Sequence, residues 1–464
     1  MTPRQTARQI AAAVGARRAS AVETVEGAIR RVEALEPRLN ALAHFDADRA
    51  LAEASEVDRR IAGDERLPLA GVPVVVKDNI WVEGRPVTQG SRLFEGVEPP
   101  CDAEAVRLLR KAGAVILAIG TCSEFACKGV TASPLHGVTN HPIEPALTPG
   151  GSSGGPSVAV AAAMAPLGLG TDAGGSSRRP PAHTGIVGFK PTQDVIPYGP
   201  GYPEPSWNIS ALAPIAGDVG DIRAMFDVLA VGPHAGLLRP SVPEPRQCRI
   251  ALAPTLGLDA AIDVDVAQAI EAAADRLRDD GWTVVADAPR WPEGTAPTDL
   301  MALQFAGLAA LYGQRFRDDP DLFDPDIGAQ IETGLRLAAP DVARALEASR
   351  AVRDTLRAFL AGHDLILSAT TPCAAWLSAR LGPETIGGRP AAPRDHAAFT
   401  PQFNHAGLPA ISIPCGHTSE GLPIGLQIGA GLGHDRSLLD AAATIEALLA
   451  VSNATSAVRS DKVS

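Results

Sequence analysis

Residues 147–180 read LTPGGSSGGPSVAVAAAMAPLGLGTDAGGSSRRP. They hold two serine pairs, Ser152/Ser153 and Ser176/Ser177, each set among glycines and joined by an Ala/Val-rich run. Glycine runs let the backbone take left-handed conformations and bring its N–H groups close to a ligand, so a serine inside one stands beside an anion site. An acyl-transfer centre requires that arrangement. The joining run also decides the fold: Ser157 to Met164 has no polar face and predicts a helix buried between layers of other structure. The wider apolar run from Val158 to Gly170 is too short to span a bilayer and is interrupted by Pro166.

Upstream, Val72 to Val76 reads as a short apolar strand, Ala103 to Lys111 as an amphipathic helix and Ala114 to Ile119 as a second strand, which predicts a βαβ unit. Before them, residues 1–62 read as a helical layer, with Val22, Val25, Ile29 and Val32 at helical spacing behind a Ser20/Glu23 capping box. Downstream, the pattern repeats in strand Arg249 to Ala253, helix Val264 to Arg278 and strand Thr283 to Val285. Further strands are expected at Leu365 to Leu367, Ala410 to Ile413 and Ile424 to Ile428, and a helix from Leu438 to Leu449. The expected fold class is α/β: a single large domain, 1–464, with a central mixed, largely parallel β-sheet covered by helices on both faces. Within it, 68–215 is the catalytic core segment, 290–360 a helical cap, and the Pro/Gly-rich loop from Gly199 to Trp207 is placed to border a site.

Composition narrows the function. The 464 residues are 45% hydrophobic but only 4% aromatic, so the core is built from Ala, Val, Leu and Ile. A formal net charge of −12 argues against nucleic acid as a partner, since phosphate binding needs clustered Lys and Arg. The six cysteines have no CxxC spacing, which fits reduced thiols in a cytoplasm and gives no zinc site. No signal peptide is read, and neither a cofactor, a metal nor a membrane partner is expected.

The serine pairs admit several chemistries. A P-loop is excluded because no GKS or GKT follows and no lysine lies between Lys128 and Lys190. Gly150 to Gly154 satisfies GxSxG, but a nucleophile elbow needs an apolar strand just before it, and here Pro142, Pro145 and Pro149 lead in. A Ser/His/Asp triad would need a later histidine, and none of His363, His396, His405 and His417 has a context that marks it. A lysine base remains: Lys77 closes the strand Val72 to Val76, so its amine starts from a dry core and can be neutral near neutral pH. Alone, Lys77 is more commonly a solvent-facing residue after a strand, and either serine more commonly a turn hydroxyl.

Together these positions resemble the amidase signature family. The resemblance is carried by GVPVVVKDN (71–79), PGGSSGGPS…GLGTDAGGSSRRP (149–180), GIVGFKPT (185–192) and AGLPAISIPCG…GLPIGLQI (406–428), in that order. It implies a Ser-cisSer-Lys triad with Lys77 as base, Ser152 as bridging serine after a cis peptide, and Ser176 as nucleophile. It also implies an oxyanion hole from the N–H groups of Ala173, Gly174, Gly175 and Ser176, with Asp172 and Arg178 holding the loop. Ser153, Phe125 and His183 are candidate substrate-binding residues, and His405 is a further candidate for the acyl pocket.

The sequence departs from the pattern at Pro156, where Ser is frequent, and at Ser177, where an aliphatic residue is usual. The implied function is hydrolysis of a carboxamide or small amide through a serine acyl-enzyme, releasing ammonia or an amine, with a small-molecule amide as substrate; a homodimer is compatible with the sequence. The alternative is the glutaminase component of a glutamyl-tRNA(Gln) amidotransferase, its A subunit. That component has an aspartate nine positions before the Ala of AGLP, where this chain has Ala397, and this difference favours a free-standing amidase.

Overall fold

The computed structural model describes residues 5–241 and 244–460. Its first helices are α1 (Ala7–Gly15) and α2 (Ala21–Leu39), and α2 starts with the expected capping box: Ser20 Oγ accepts from Glu23 N and Glu23 accepts from Ser20 N. The N-terminal layer is not purely helical. Strand β1 (Leu42–Phe45) lies between α2 and α3 (Ala47–Ala62) and forms the edge of the main sheet. Its four residues are all half-buried, so it lacks the alternation that marks a strand in sequence.

The first βαβ unit forms where expected, as β2 (Pro73–Lys77), α4 (Glu104–Lys111) and β3 (Val115–Gly120), with Lys77 the last residue of its strand. The buried helix is α5 (Gly154–Ala161). Three strands that the sequence reading did not single out follow: β4 (Leu167–Asp172), then β5 (Val187–Lys190) after the short helix α6 (Arg179–Thr184), then β6 (Ala211–Ala216). Each is buried along its whole length. In β4 the leucines Leu167 and Leu169 enter the core, whereas a Cβ on Gly168 would stand 3.2 Å from Pro156 and one on Gly170 would collide with Ser177 Oγ. The glycines thus admit α5 and the second serine pair against the sheet. Pro156 and Ser177, the two departures from the family pattern, both fill that space.

The chain continues through α7 (Val219–Leu229), β7 (Arg249–Leu252), α8 (Val264–Asp279) and β8 (Thr283–Ala286). Residues 290–360 carry α9 (Pro297–Asp318), α10 (Pro325–Arg336) and α11 (Ala339–Phe359). Last come β9 (Leu365–Ala369), α12 (Pro401–Ala406), β10 (Ala410–His417), β11 (Pro423–Ala430) and α13 (Asp435–Ser460).

The sheet has eleven strands in the order β1-β3-β2-β4-β6-β5-β10-β11-β9-β7-β8. Helices cover both faces: α5 and α6 pack on each other and on the central strands, while α7, α8 and α13 form a second layer. The sheet is mixed, as expected, but it is not largely parallel. Six neighbouring pairs run antiparallel and four parallel. The parallel pairs lie towards the two flanks, where helical crossovers return the chain in the same sense. In the middle, β10 and β11 are joined by the tight turn at 418–422, and a short return of that kind can only give antiparallel neighbours.

Candidate active site

The parallel strands β2 and β4 end side by side, and their last residues, Lys77 and Asp172, are both buried. Ligand sites in α/β sheets favour such strand ends, where loops leave the sheet. Lys77 Nζ donates to Ser152 Oγ at 2.8 Å and to Thr171 Oγ1 at 2.8 Å, and Asn79 Nδ2 donates to the same Thr171 hydroxyl at 3.0 Å. Burial pushes the ammonium pKa down to about 8, against weaker upward pulls from Cys122 and Asp172. Among the described residues no carboxylate touches the amine, so little opposes its loss of a proton.

The Gly151–Ser152 peptide bond is cis, as the resemblance implies. Ser152 is fully buried, and Ser153 N donates to the carbonyl of Ser176 at 3.2 Å, which ties the two serine pairs together. Ser176 is 6% exposed and borders a cavity of ≈500 Å3; Ala173 and Gly174 border it too.

One carboxylate fixes the loop between them. Asp172 accepts from Gly175 N at 2.7 Å, Ser177 N at 3.2 Å, Asn404 Nδ2 at 2.9 Å, and Arg178 Nε and Nη2 at 3.0 and 2.9 Å. Arg178 in turn donates to the Thr400 carbonyl, Gln427 Oε1 and Asn404 Oδ1. Burial alone would raise the Asp172 pKa, but the Arg178 ion pair and these hydrogen bonds outweigh it and hold the acid well below the usual carboxylate range.

This clamp occupies one of the N–H groups expected to form an oxyanion hole. The Gly175 N–H is committed to Asp172, so Gly175 drops out, leaving the N–H groups of Ala173, Gly174 and Ser176 without a partner among the described residues. Gly175 instead supplies the turn: its φ is 105°, and a Cβ there would collide with the Thr400 side chain.

The three candidate substrate contacts fall differently. Ser153 is buried and bonds to the Thr171 carbonyl (3.2 Å) and Ser177 Oγ (3.0 Å), so it braces the loop and does not face the cavity. His183 is buried behind the site with its ring edge-on to Trp376, also away from the cavity, because Gly150 lets it pack against the backbone there. Phe125 stacks on Tyr312 at 4.1 Å between ring centroids and borders a narrow cleft shared with Ser176. His405 does line the main cavity, its Nδ1 2.8 Å from Ser349 Oγ, and burial pushes its pKa down to about 4, so it is neutral.

Sequence reasoning missed Thr171, whose hydroxyl accepts from the lysine amine, and Asn79, which donates to that hydroxyl; both lie in the quoted family segments, within two residues of a named position. Of the cavity walls, α9 and its lead-in, within the segment expected as a cap, contribute Ala296 to Gln304, and the 199–207 loop contributes Ser206; residues 386–401, which close the other side, were missed. Among the described residues, no group of three or more His, Cys, Asp or Glu side chains is placed to hold a metal ion. No helix among them is long and apolar enough to cross a membrane.

Comparison with known proteins identifies the family. Residues 23–439 match the family described as Amidase. The chain is 35% identical to the glutamyl-tRNA(Gln) amidotransferase A subunit of Symbiobacterium thermophilum over 448 residues, covering 88% of this chain and 89% of that one. Among solved structures it resembles a 6-aminohexanoate cyclic dimer hydrolase complexed with substrate (TM-score 0.81, 27% identity, 96% and 97% coverage). It also resembles native peptide amidase from Stenotrophomonas maltophilia (TM-score 0.78, 26% identity, 96% and 97% coverage).

Proposed function

Since this chain belongs to the amidase signature family, we propose that it cleaves an amide C–N bond through an acyl-enzyme on Ser176, with Lys77 as base and Ser152 as relay. The observation that carries the reading is the buried Lys77–Ser152 hydrogen bond beside a cavity-lining Ser176. Neutral Lys77 draws the proton of Ser152, which draws that of Ser176 as its oxygen adds to the carbonyl. The new oxyanion lies against the free N–H groups of Ala173, Gly174 and Ser176, each worth about 3 to 4 kcal/mol when well aimed. Ser152 returns the proton to the departing ammonia or amine, and water then releases the acid. The helices of 290–360 form a cap that shapes the acyl pocket.

The identity of the amide divides into two readings. The named sequence relatives favour the glutaminase component of a glutamyl-tRNA(Gln) amidotransferase at least as well as a free-standing amidase, and in that case further subunits are partners. The replacement of the glutaminase aspartate by Ala397, which borders the cavity, speaks for the free-standing enzyme. Ammonia release by the purified chain from glutamine and from simple and aryl amides separates them. Turnover of simple amides by the chain alone supports the amidase, while turnover of glutamine only with added subunits supports the transamidation role. Ser176→Ala should lower either activity about a thousandfold or more; unchanged turnover in that variant would refute the acyl-enzyme.

A further inference from the structure

Arg178 and Arg179 are adjacent, yet their surroundings are opposite. Arg178 is saturated by Asp172, Asn404, Gln427 and the Thr400 carbonyl. Arg179, the first residue of α6, is 4% exposed and borders the same cavity as Ser176. Its Nη2 donates to the Gly151 carbonyl at 3.2 Å, and among the described residues its Nε has no partner and no carboxylate lies within ion-pair distance of it.

A second cation repeats the pattern. Arg394 is half-buried on the cavity wall, donates to the Cys127 carbonyl at 2.8 Å and to Gln330 Oε1 at 3.4 Å, and also lacks a carboxylate among the described residues. The other charged groups on the wall are accounted for. Lys128 is paired with Asp324 and Asp326, Asp395 accepts from Ala392 N, and Asp259 and Arg389 are exposed at the rim. Burial and then the charge of Arg394 press the Arg179 pKa down, against a pull from Asp172. Behind Arg179, burial and neighbouring arginine charge hold His183 and His396 neutral, so neither adds charge to the site nor supplies an anion.

A buried guanidinium with unused donors beside a cavity is costly until an anion arrives, and its planar fork matches a carboxylate. Arg179 follows Ser176 by only three positions, so their Cα atoms lie within about 11 Å of each other even for extended chain. We infer that the substrate amide carries a carboxylate on its acyl portion, bound by Arg179 with support from Arg394.

This inference rests on the amidase reading for the bond that breaks, but the binding of the anion can be tested separately. The substrates are the monoamides of succinate and glutarate against butanamide and pentanamide, with kcat and KM measured for the wild type, Arg179→Gln and Arg179→Lys. The wild type should favour the charged amides in kcat/KM by about tenfold to a hundredfold. In Arg179→Gln that ratio should fall towards one through KM, and Arg179→Lys should retain part of it. Glutarate itself should bind the wild type in calorimetry and bind Arg179→Gln at least tenfold more weakly. Turnover of neutral amides with no preference for the charged ones, or glutarate binding that is absent or insensitive to Arg179, overturns the inference and leaves the amidase reading standing. Glutarate binding through Arg179 in a protein that hydrolyses none of these amides and whose Ser176 resists a fluorophosphonate supports the anion site and overturns the amidase reading instead.

Discussion

Phosphonylation of Ser176 by a fluorophosphonate reads the ionisation of Lys77 without any need to know the substrate. The rate should follow the fraction of Lys77 that is neutral, since only that form accepts the proton passed through Ser152. Lys77 is buried, and its pKa is pushed down to about 8. Such a base is about one-tenth neutral at pH 7 and about nine-tenths neutral at pH 9, so the rate should rise about tenfold across that interval and then level. A lysine at its ordinary value of about 10.4 would give a rise of about a hundredfold with no plateau by pH 9. Labelling can be followed by intact mass against pH, corrected for reagent hydrolysis. Lys77→Met should lower the rate about a hundredfold or more and remove its pH dependence. A flat wild-type profile, a hundredfold climb, or a Lys77→Met profile parallel to the wild type would refute the reasoning.

Other perturbations follow from the same contacts. Between pH 8 and about 10.4 the unfolded chain holds a proton at Lys77 that the folded chain does not, so stability should rise with pH by about 3 kcal/mol from this group and be lost again as pH falls back through that window. Urea titrations at pH 7 and pH 10 should show most of that increment in the wild type and none of it in Lys77→Met. Asp172→Asn removes one side of a fully buried ion pair and should cost about 3 to 5 kcal/mol, read as a lower denaturation midpoint, with Ser176 labelling slowed as its loop loosens. Gly188→Ala drives a Cβ into the Ser177 carbonyl oxygen, so β5 must shift; a loss of about 1 to 3 kcal/mol or more is expected from thermal unfolding.

The flanks of the sheet were legible because each βαβ unit is written locally: an apolar run, an amphipathic helix and another apolar run. In the middle, Ala410–His417 and Pro423–Ala430 were legible too, but Leu167–Asp172 and Ala211–Ala216 were not, because they carry contrary signals. Leu167–Asp172 has glycine at alternate positions, which weakens a strand in isolation, and here those glycines serve the close approach of α5 and Ser177. Ala211–Ala216 contains Pro214, a residue that argues against a central strand, yet it pairs with Leu169 across the ladder. The Lys77–Ser152 contact and the place of Ser176 on the cavity could be anticipated because three segments were read together. The loss of Gly175 from the oxyanion set could not, since it depends on which N–H groups the Asp172 carboxylate takes. The contrast between Arg178 and Arg179 was equally hidden: the partners that saturate one and miss the other, Asn404 and Gln427, come from more than two hundred residues later in the chain.

The Asp172 clamp has a consequence for how the protein meets acid. Its carboxylate is held ionised far below neutrality, while the Lys77 amine gains its proton near pH 8. On the proposed mechanism, falling pH therefore silences Ser176 long before it loosens the fastening that shapes the loop. In a mildly acidic environment the site would stay assembled but idle, and returning to alkaline medium would restore it as fast as a proton can leave, with no refolding to wait for.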